Sequence, residues 1–381
     1  MAEQPPQPPS RLVAGIPAGT IFGVPLVVSP AWILLVLLGT LLGPSVVRDS
    51  IDVSTAGSYL VAFALIVLVY AAVLAHEASH VLVAKALNLR VGRVVLQLLG
   101  ASSEVLDEPQ TPAREYLVAA VGPLTSVLCA GVAAAVGGAM PDHSIGWLLA
   151  NSTATINGVV AAFNLLPGMP LDGGRLLRAF LWHVTGDKLR GLLIAGWVGR
   201  GVSVACAVTA IFAPMWDSAN ADVSTIYLLM VAFFIWVNAS LSIAQARVGT
   251  AIPRLEMSQL VRPALTVEAQ LPLAEAVRRA RAMGARALVV VDGRDRWSGI
   301  VSEAAVQATP AERQPWMSVS DLARPVEAGL VLSTALSGED LMTAVQQTPA
   351  TEYLVAGADG TLQGVLARTD LIAVLRAAGV R

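Results

Sequence analysis

Two imidazoles and a carboxylate stand within five residues in "HEASH", His76 to His80, the pattern H-E-x-x-H. On a helix, residues four apart share a face one turn apart. His76 and His80 can therefore grip one Zn²⁺ ion while Glu77, beside them, stays free to act as a base toward a water on the metal. Short patterns of this kind recur by chance, but the surroundings give this one weight. The eighteen preceding residues, Ser58 to Ala75, carry no charge, and ionisable groups at bilayer depth are costly and functional by default. A solvated helix face does not fit turns that are uniformly apolar.

Zinc of this kind takes three protein ligands and leaves a fourth position to water or substrate. Elsewhere in the apolar part of the chain, "FNLLPGMPLDGGRLLRAF", Phe163 to Phe180, supplies a carboxylate, Asp172. Pro167, Gly168, Pro170, Gly173 and Gly174 break any continuous helix across it. Irregular backbone at membrane depth is tolerated only inside protein or along a cavity. Asp172 is then either an interior charge at a helix break or the N-cap of a helix starting near Gly173, with Arg175 and Arg178 on the cytosolic rim. Taken alone, the segment favours the cap.

Composition says which elements must carry these residues. Of 381 residues, 55% are hydrophobic and 14% charged, against roughly 25% charged in an ordinary globular domain. Charges are sparse before about residue 250 and ordinary afterwards, which predicts a membrane domain followed by a soluble one. A net charge of -2 gives no basis for a nucleic-acid partner. Cys129 and Cys206 each lie in an apolar run and read as small buried residues, with no disulfide framework. The Pro-rich start, "MAEQPPQPPS", lacks the order of a signal peptide and reads as a short disordered cytosolic tail.

Runs of about 20 apolar residues span a bilayer, and about six are present: 30 to 47, 58 to 87, 114 to 140, 145 to 166, 192 to 214 and 223 to 246. Asn151, Ser152, Thr153, Thr155, Asn157 and Asn164 turn the fourth toward the bundle interior. Lys85, Arg90, Arg93 and Arg114, then Arg175, Arg178, Lys188 and Arg190, then Arg247 and Arg254 mark one set of connections as cytosolic, while the other set holds Arg48 alone. Both termini are thus expected in the cytosol. The second span runs inward, and eighteen residues at about 1.5 Å each cover roughly 27 Å, so His76 lies near the inner face. His143, in an external loop, and His183, near the cytosolic edge, read as ordinary polar positions.

Two further stretches have a pattern of their own. "RVVLQLLGASSEVLDEP", Arg93 to Pro109, is expected to form a hairpin turning at Gly-Ala-Ser-Ser, dipping into the bilayer, with the Val94 to Leu98 edge pairing with an unwound substrate. After residue 250 a unit beginning at Ser258 is repeated from Ser320, each ending in helix, strand, a turn (Asp292-Gly293, Asp359-Gly360), strand and helix. This is a duplicated α+β module.

Taken together, "HEASH" and the later "NLLPGMPLDGG", Asn164 to Gly174, resemble the site-2 proteases, intramembrane zinc metalloproteases that pair HExxH with N-x-x-P-x-x-P-L-D-G-G on a later helix. "AAVGPLTSVL", around Gly122 and Pro123, resembles that family's Gly-Pro segment, with Ser126 in place of its usual Asn. The resemblance covers roughly residues 12 to 215. It implies that His76, His80 and Asp172 ligate Zn²⁺, that Glu77 is the catalytic base, and that Asn164 holds the substrate backbone or the developing oxyanion. The repeat resembles a tandem pair of CBS domains, a family whose pairs bind adenosine nucleotides through a G-h-h-[ST]-x-x-[DN] segment. "GIVSEAA" keeps Ser302 but has Ala305 for the acid, and "GVLARTD" keeps Asp370 but has Ala367 for the hydroxyl. Asp370 is the nucleotide-binding candidate.

The expected architecture is a polytopic α-helical membrane domain of about six transmembrane helices followed by a soluble α+β tandem CBS pair. Its bounds are 1–29 for the tail and lead-in, 30–247 for the membrane domain and 253–379 for the pair, divided at 253–310 and 316–379. The resemblance implies cleavage of a transmembrane segment in a membrane-tethered regulator, such as an anti-sigma factor already shortened by a site-1-type protease. It also allows nucleotide control and a homodimer through the CBS pair. A CBS-regulated cation channel or transporter is the alternative, though a transit site has no need of Glu77 in a base position. A third reading, a zinc protease of the prenyl-protein-processing type, needs a glutamate as third ligand on a later helix.

Overall fold

The computed structural model describes residues 15–97, 100–107, 109–216, 221–294 and 296–380. The Pro-rich start read as a tail lies outside them. The chain divides into two units, Met1–Ile243 and Ala244–Arg381.

Among the described residues the first unit opens with two strands, within the stretch expected as a lead-in. β1 (Ile16–Ile21) and β2 (Val24–Val28) form an antiparallel hairpin. Its turn residues Phe22 and Gly23 both have positive φ, 50° and 76°, as a two-residue hairpin connection of this hand demands. The signal was present in the alternation of Val24, Leu26 and Val28, all buried. β2 pairs in parallel with β3 (Val91–Gln97), and β3 pairs antiparallel with β4 (Gly100–Val105), in the order β1-β2-β3-β4.

The expected hairpin is thus corrected in two respects. Gly100 to Ser103 pair with Gln97 to Val94 as strand rather than turning, and the connection at Leu98 and Leu99 lies outside the described residues. β3 is flanked on both sides, so the edge expected at Val94 to Leu98 belongs instead to β4, which ends the sheet among the described residues.

The helices of this unit are α1 (Pro30–Leu42), α2 (Pro44–Ser50), α3 (Thr55–Ala86), α4 (Pro112–Gly138), α5 (Ile145–Asn164), α6 (Asp172–Thr185), α7 (Lys188–Trp216) and most of α8 (Ala221–Ala251), whose last residues belong to the second unit. Ser54, Thr111 and Ser144 cap α3, α4 and α5, each accepting from a backbone N–H in the first turn. The first expected span is broken: α1 and α2 meet at 45°, because Pro44 cannot donate to the preceding turn and its ring clashes with it.

Among the described residues four helices, α3, α4, α7 and α8, are long and apolar enough to cross a membrane, or five spans if the bent pair counts as one. α5 occupies the fourth expected span as a helix of 20 residues, but its polar residues keep it out of that set. Asn157 on it is buried while Thr155 is exposed. The chain is a multi-pass membrane protein.

In the second unit a short 3-10 turn (Ile252–Arg254) leads to α9 (Met257–Leu260), β5 (Val261–Arg262), β6 (Ala264–Glu268), α10 (Leu273–Ala282), β7 (Ala287–Val291), β8 (Trp297–Val301) and α11 (Glu303–Ala308). The second repeat follows as β9 (Arg324–Pro325), β10 (Val331–Ser333), α12 (Gly338–Gln347), β11 (Glu352–Ala356), β12 (Leu362–Ala367) and α13 (Arg368–Val380). The repeats exchange their leading segments. β5 joins the sheet β10-β11-β12-β5, and β9 joins β6-β7-β8-β9.

Packing explains the exchange: Leu255, Met257 and Leu260 bury against Leu330, Leu341 and Tyr353 of the second repeat, while Val319 enters the core of the first with Leu273 and Leu288. Each repeat thus lends its leading segment to the sheet and core of the other. The sheets meet through Ala287, Val289 and Ile300 against Leu354 and Val365.

Candidate metal centre

α3 delivers His76 and His80 to one buried point, with the side chains 6% and 4% exposed. Their Nε2 atoms lie 3.3 Å apart, and Asp172 Oδ2 stands 3.1 Å from the first and 3.2 Å from the second. Tetrahedral zinc with bonds of about 2.0–2.1 Å sets its ligand atoms roughly 3.3 Å from one another, so this triangle is one face of such a tetrahedron. Among the described residues it is the one His, Cys and carboxylate cluster that could hold a metal ion.

The protons are compatible with such a site. His80 Nδ1 lies 2.6 Å from the Val118 carbonyl, which only accepts, so Nδ1 carries a proton, and in the neutral ring Nε2 turns a lone pair toward Asp172. A metal ion or a second proton between Nε2 and the carboxylate satisfies both atoms at that separation. His76 Nδ1 is held in turn by Ser126 Oγ at 2.9 Å. Such outer partners fix ring orientation and tautomer in metal sites.

α4 keeps the space open. A Cβ at Gly122 would lie 2.2 Å from His80 Nε2 and 2.6 Å from His76 Nε2. The donor set of two imidazoles and a carboxylate, with room kept by a glycine, fits zinc.

Asp172 reaches this point because the chain before it folds back on itself. A Cβ at Gly173 would meet the carbonyl oxygens of Leu165 and Leu166 at 2.4 Å, and one at Gly174 would meet the Gly168 carbonyl carbon at 2.2 Å. Gly168 rests on Gly199 of α7, and Met169 donates to the Ala195 carbonyl at 3.1 Å. The cap reading is corrected: Leu171 is the N-cap, without a side-chain hydrogen bond, and Asp172 stands in the first turn of α6. Its carboxylate is thereby free to face the histidines.

Arg175 and Arg178, expected on the cytosolic rim, have side chains 22% and 13% exposed. Both grip Glu115, in the first turn of α4 and fully buried: Arg175 Nε at 3.1 Å and Arg178 Nη2 at 2.5 Å, on the same oxygen, Oε1. Sequence reasoning missed Glu115, because a lone acid in a first helical turn reads as a complement to the helix dipole.

Glu77 follows His76 on α3 and is half-buried. Asn164 ends α5, and its side-chain amide donates to the Val160 carbonyl one turn back at 3.1 Å rather than to the His–Asp group. His143 hydrogen-bonds the Ser50 carbonyl at 3.2 Å, and His183 lies in the last turn of α6.

In the second unit Arg262 donates through Nε and Nη2 to both oxygens of Asp370, at 2.5 and 2.6 Å, and through Nη1 to Glu303 at 3.0 Å. These hydrogen bonds from Arg262 hold Asp370 below the usual carboxylate range. A cavity of about 640 Å³ lies elsewhere in this unit, lined by Thr266, Val291, Arg296, Trp297, Val326, Val331, Gly360, Thr361 and Leu362.

Residues 143–208, which contain the Asn164 to Gly174 segment, match the family model described as Peptidase family M50. The chain is similar to a protein of Synechocystis sp. named as a zinc metalloprotease, 26% identical over 369 residues, 95% of each chain. Among solved structures it is similar to the site-2 protease of Methanocaldococcus jannaschii, at 24% identity and a TM-score of 0.43, over 60% of this chain and 95% of that one. It is also similar to the CBS domain of a bacterial CNNM/CorC family Mg²⁺ transporter, at 12% identity and a TM-score of 0.28, over 37% of this chain and 86% of that one. Residues 143–208 thus match Peptidase family M50, and over 95% of its length the chain is similar to a protein named as a zinc metalloprotease.

Proposed function

We propose that the protein is an intramembrane zinc endopeptidase with His76, His80 and Asp172 as ligands and Glu77 as general base. The observation that carries this reading is the triangle of two imidazole nitrogens and one carboxylate oxygen, 3.1 to 3.3 Å on a side, set among apolar helices. Zinc held there supplies Lewis acidity, which lowers the pKa of a water toward about 7 and stabilises negative charge on a carbonyl oxygen.

Glu77 takes the proton from the attacking water and returns it to the leaving amine. Ser126 and the Val118 carbonyl keep the two rings aimed while charge develops. Asn164, at the end of α5, holds the substrate backbone.

The substrate class is a transmembrane segment. A helical substrate has its peptide groups bonded internally, and cleavage requires local unwinding. The open edge of β4 offers the freed backbone a strand to pair with. The excess of Lys and Arg in alternate connections orients both termini and the second unit to the cytosol, with His76 near the cytosolic face. A membrane-tethered regulator such as an anti-sigma factor, shortened beforehand by a site-1-type protease, suits such a site.

The second unit acts as a tandem CBS pair that pairs two copies of the chain and senses an adenosine nucleotide. Its cavity of about 640 Å³ has the size of a small-molecule pocket. Calorimetric titration of the full chain with ATP, ADP and AMP tests the sensing, and no heat with any of them removes it. The protease reading is tested by proteomics of membranes carrying wild type or Glu77→Gln. Transmembrane stubs accumulate only with the variant; an identical stub population in both defeats the reading.

A further inference from the structure

Beside the metal centre sits a buried charge cluster that the hydrolytic chemistry does not use. Glu115, on α4, is 0% exposed. Its Oε1 receives Nε of Arg175 and Nη2 of Arg178 from the first two turns of α6. Arg175 is three residues beyond Asp172, and its Nη1 lies 4.0 Å from Asp172 Oδ1, the oxygen turned away from the histidines. An arginine this close to a carboxylate has the fork geometry to bind it through both oxygens at once. Oδ2 is the oxygen that completes the triangle with His76 and His80.

We propose that Glu115 is a positioning residue that holds the Arg175 guanidinium off Asp172, so that the Asp172 carboxylate stays available to a metal ion. Glu115 takes the Nε side of the guanidinium, one half of the fork that a bidentate pair needs. Nη1 stands off Asp172 at 4.0 Å, a separation longer than a hydrogen bond. Without the charge on Glu115, Arg175 still has an anion within 4.0 Å, Asp172. Arg175 is then a competitor of the metal for its third ligand, and Glu115 is the guard. The proposal rests on the reading of His76, His80 and Asp172 as ligands.

The test measures Zn²⁺ affinity by chelator competition on the full-length protein in detergent, alongside thermal unfolding. Substitution of outer partners in metal sites costs about 10–100-fold in affinity, and Glu115→Gln is expected to fall in that range. The double variant Glu115→Gln/Arg175→Gln is expected to recover to within about threefold of wild type, because the competitor is gone. A Glu115 that merely holds two helices together gives no such recovery. Wild-type affinity in Glu115→Gln, or a double variant as weak as the single, overturns the proposal.

Should Glu115→Gln not fold, Arg175→Gln alone decides. Unchanged or tighter zinc binding supports the competitor role, and weaker binding shows that Arg175 supports Asp172 and overturns it. Wild-type protein that takes up no zinc removes the ligand reading and the proposal together. One zinc per wild-type chain with unaltered variants removes the proposal alone.

Discussion

Gly122 on α4 stands against His80 on α3 with no room for a side chain between them: a Cβ at residue 122 would lie 2.2 Å from His80 Nε2. Alanine favours helix over glycine by about 1 kcal/mol, so Gly122→Ala should fold while its methyl group enters the volume that the ligand triangle surrounds. The variant is expected to hold less than a tenth of the zinc of wild type at unchanged helical circular dichroism. Wild-type zinc content in Gly122→Ala places the metal elsewhere.

Ser126 is the outer partner of His76, at 2.9 Å from Nδ1. Ser126→Ala leaves that nitrogen without its hydrogen bond and the ring free to turn. Zinc affinity by chelator competition is expected to drop about 10–100-fold, with cleavage falling alongside and recovering in excess zinc. An unchanged affinity shows that packing alone orients the ring.

The grouping of His76, His80 and Asp172 into a candidate site was legible in the sequence because it depends on residue type and spacing within short segments. His76 and His80 share a helical face by arithmetic, and the Pro and Gly residues around Asp172 announce a broken backbone at membrane depth. What escaped was set by partners far along the chain. Glu115 and Arg175 are 60 residues apart, and neither segment hints at the other. β5 and β9 have two residues each, too few for an alternating pattern, so the exchange between the repeats has no sequence signature. The Gly43-Pro44 break was visible but read through, since the apolar run continues across it.

β4 ends its sheet among the described residues, with β3 as its strand neighbour. Proline removes a ladder donor, so substitutions along Ala101 to Glu104 should alternate in effect. Those whose N–H faces the open edge reduce cleavage of a transmembrane substrate at least tenfold while zinc content stays at wild type. Those facing β3 disturb the sheet itself. Cleavage indifferent to proline at all four positions rules out strand pairing by this edge.

Arg262 engages both oxygens of Asp370, and the resulting fall in the Asp370 pKa makes this pairing pH-dependent. A carboxylate whose folded-state pKa is depressed contributes stability above its unfolded value, about 3.9. The contribution is lost as pH falls through the folded value. In thermal unfolding of the full chain, Asp370→Asn is expected to lower the midpoint of the C-terminal unit at pH 6 and to make no difference once wild-type Asp370 is itself protonated. A gap that persists unchanged into that acid range assigns the effect to packing rather than to charge.

The assignment of roles at the centre is tested most directly by Glu77→Gln in purified protein, with zinc content and cleavage of a transmembrane substrate measured on the same sample. The amide preserves size and the ligand triangle but cannot take a proton from water. One zinc per chain with cleavage reduced at least a thousandfold, a loss of about 4 kcal/mol in barrier lowering, is the expected result. Continued cleavage by the zinc-loaded variant would contradict the role given to Glu77.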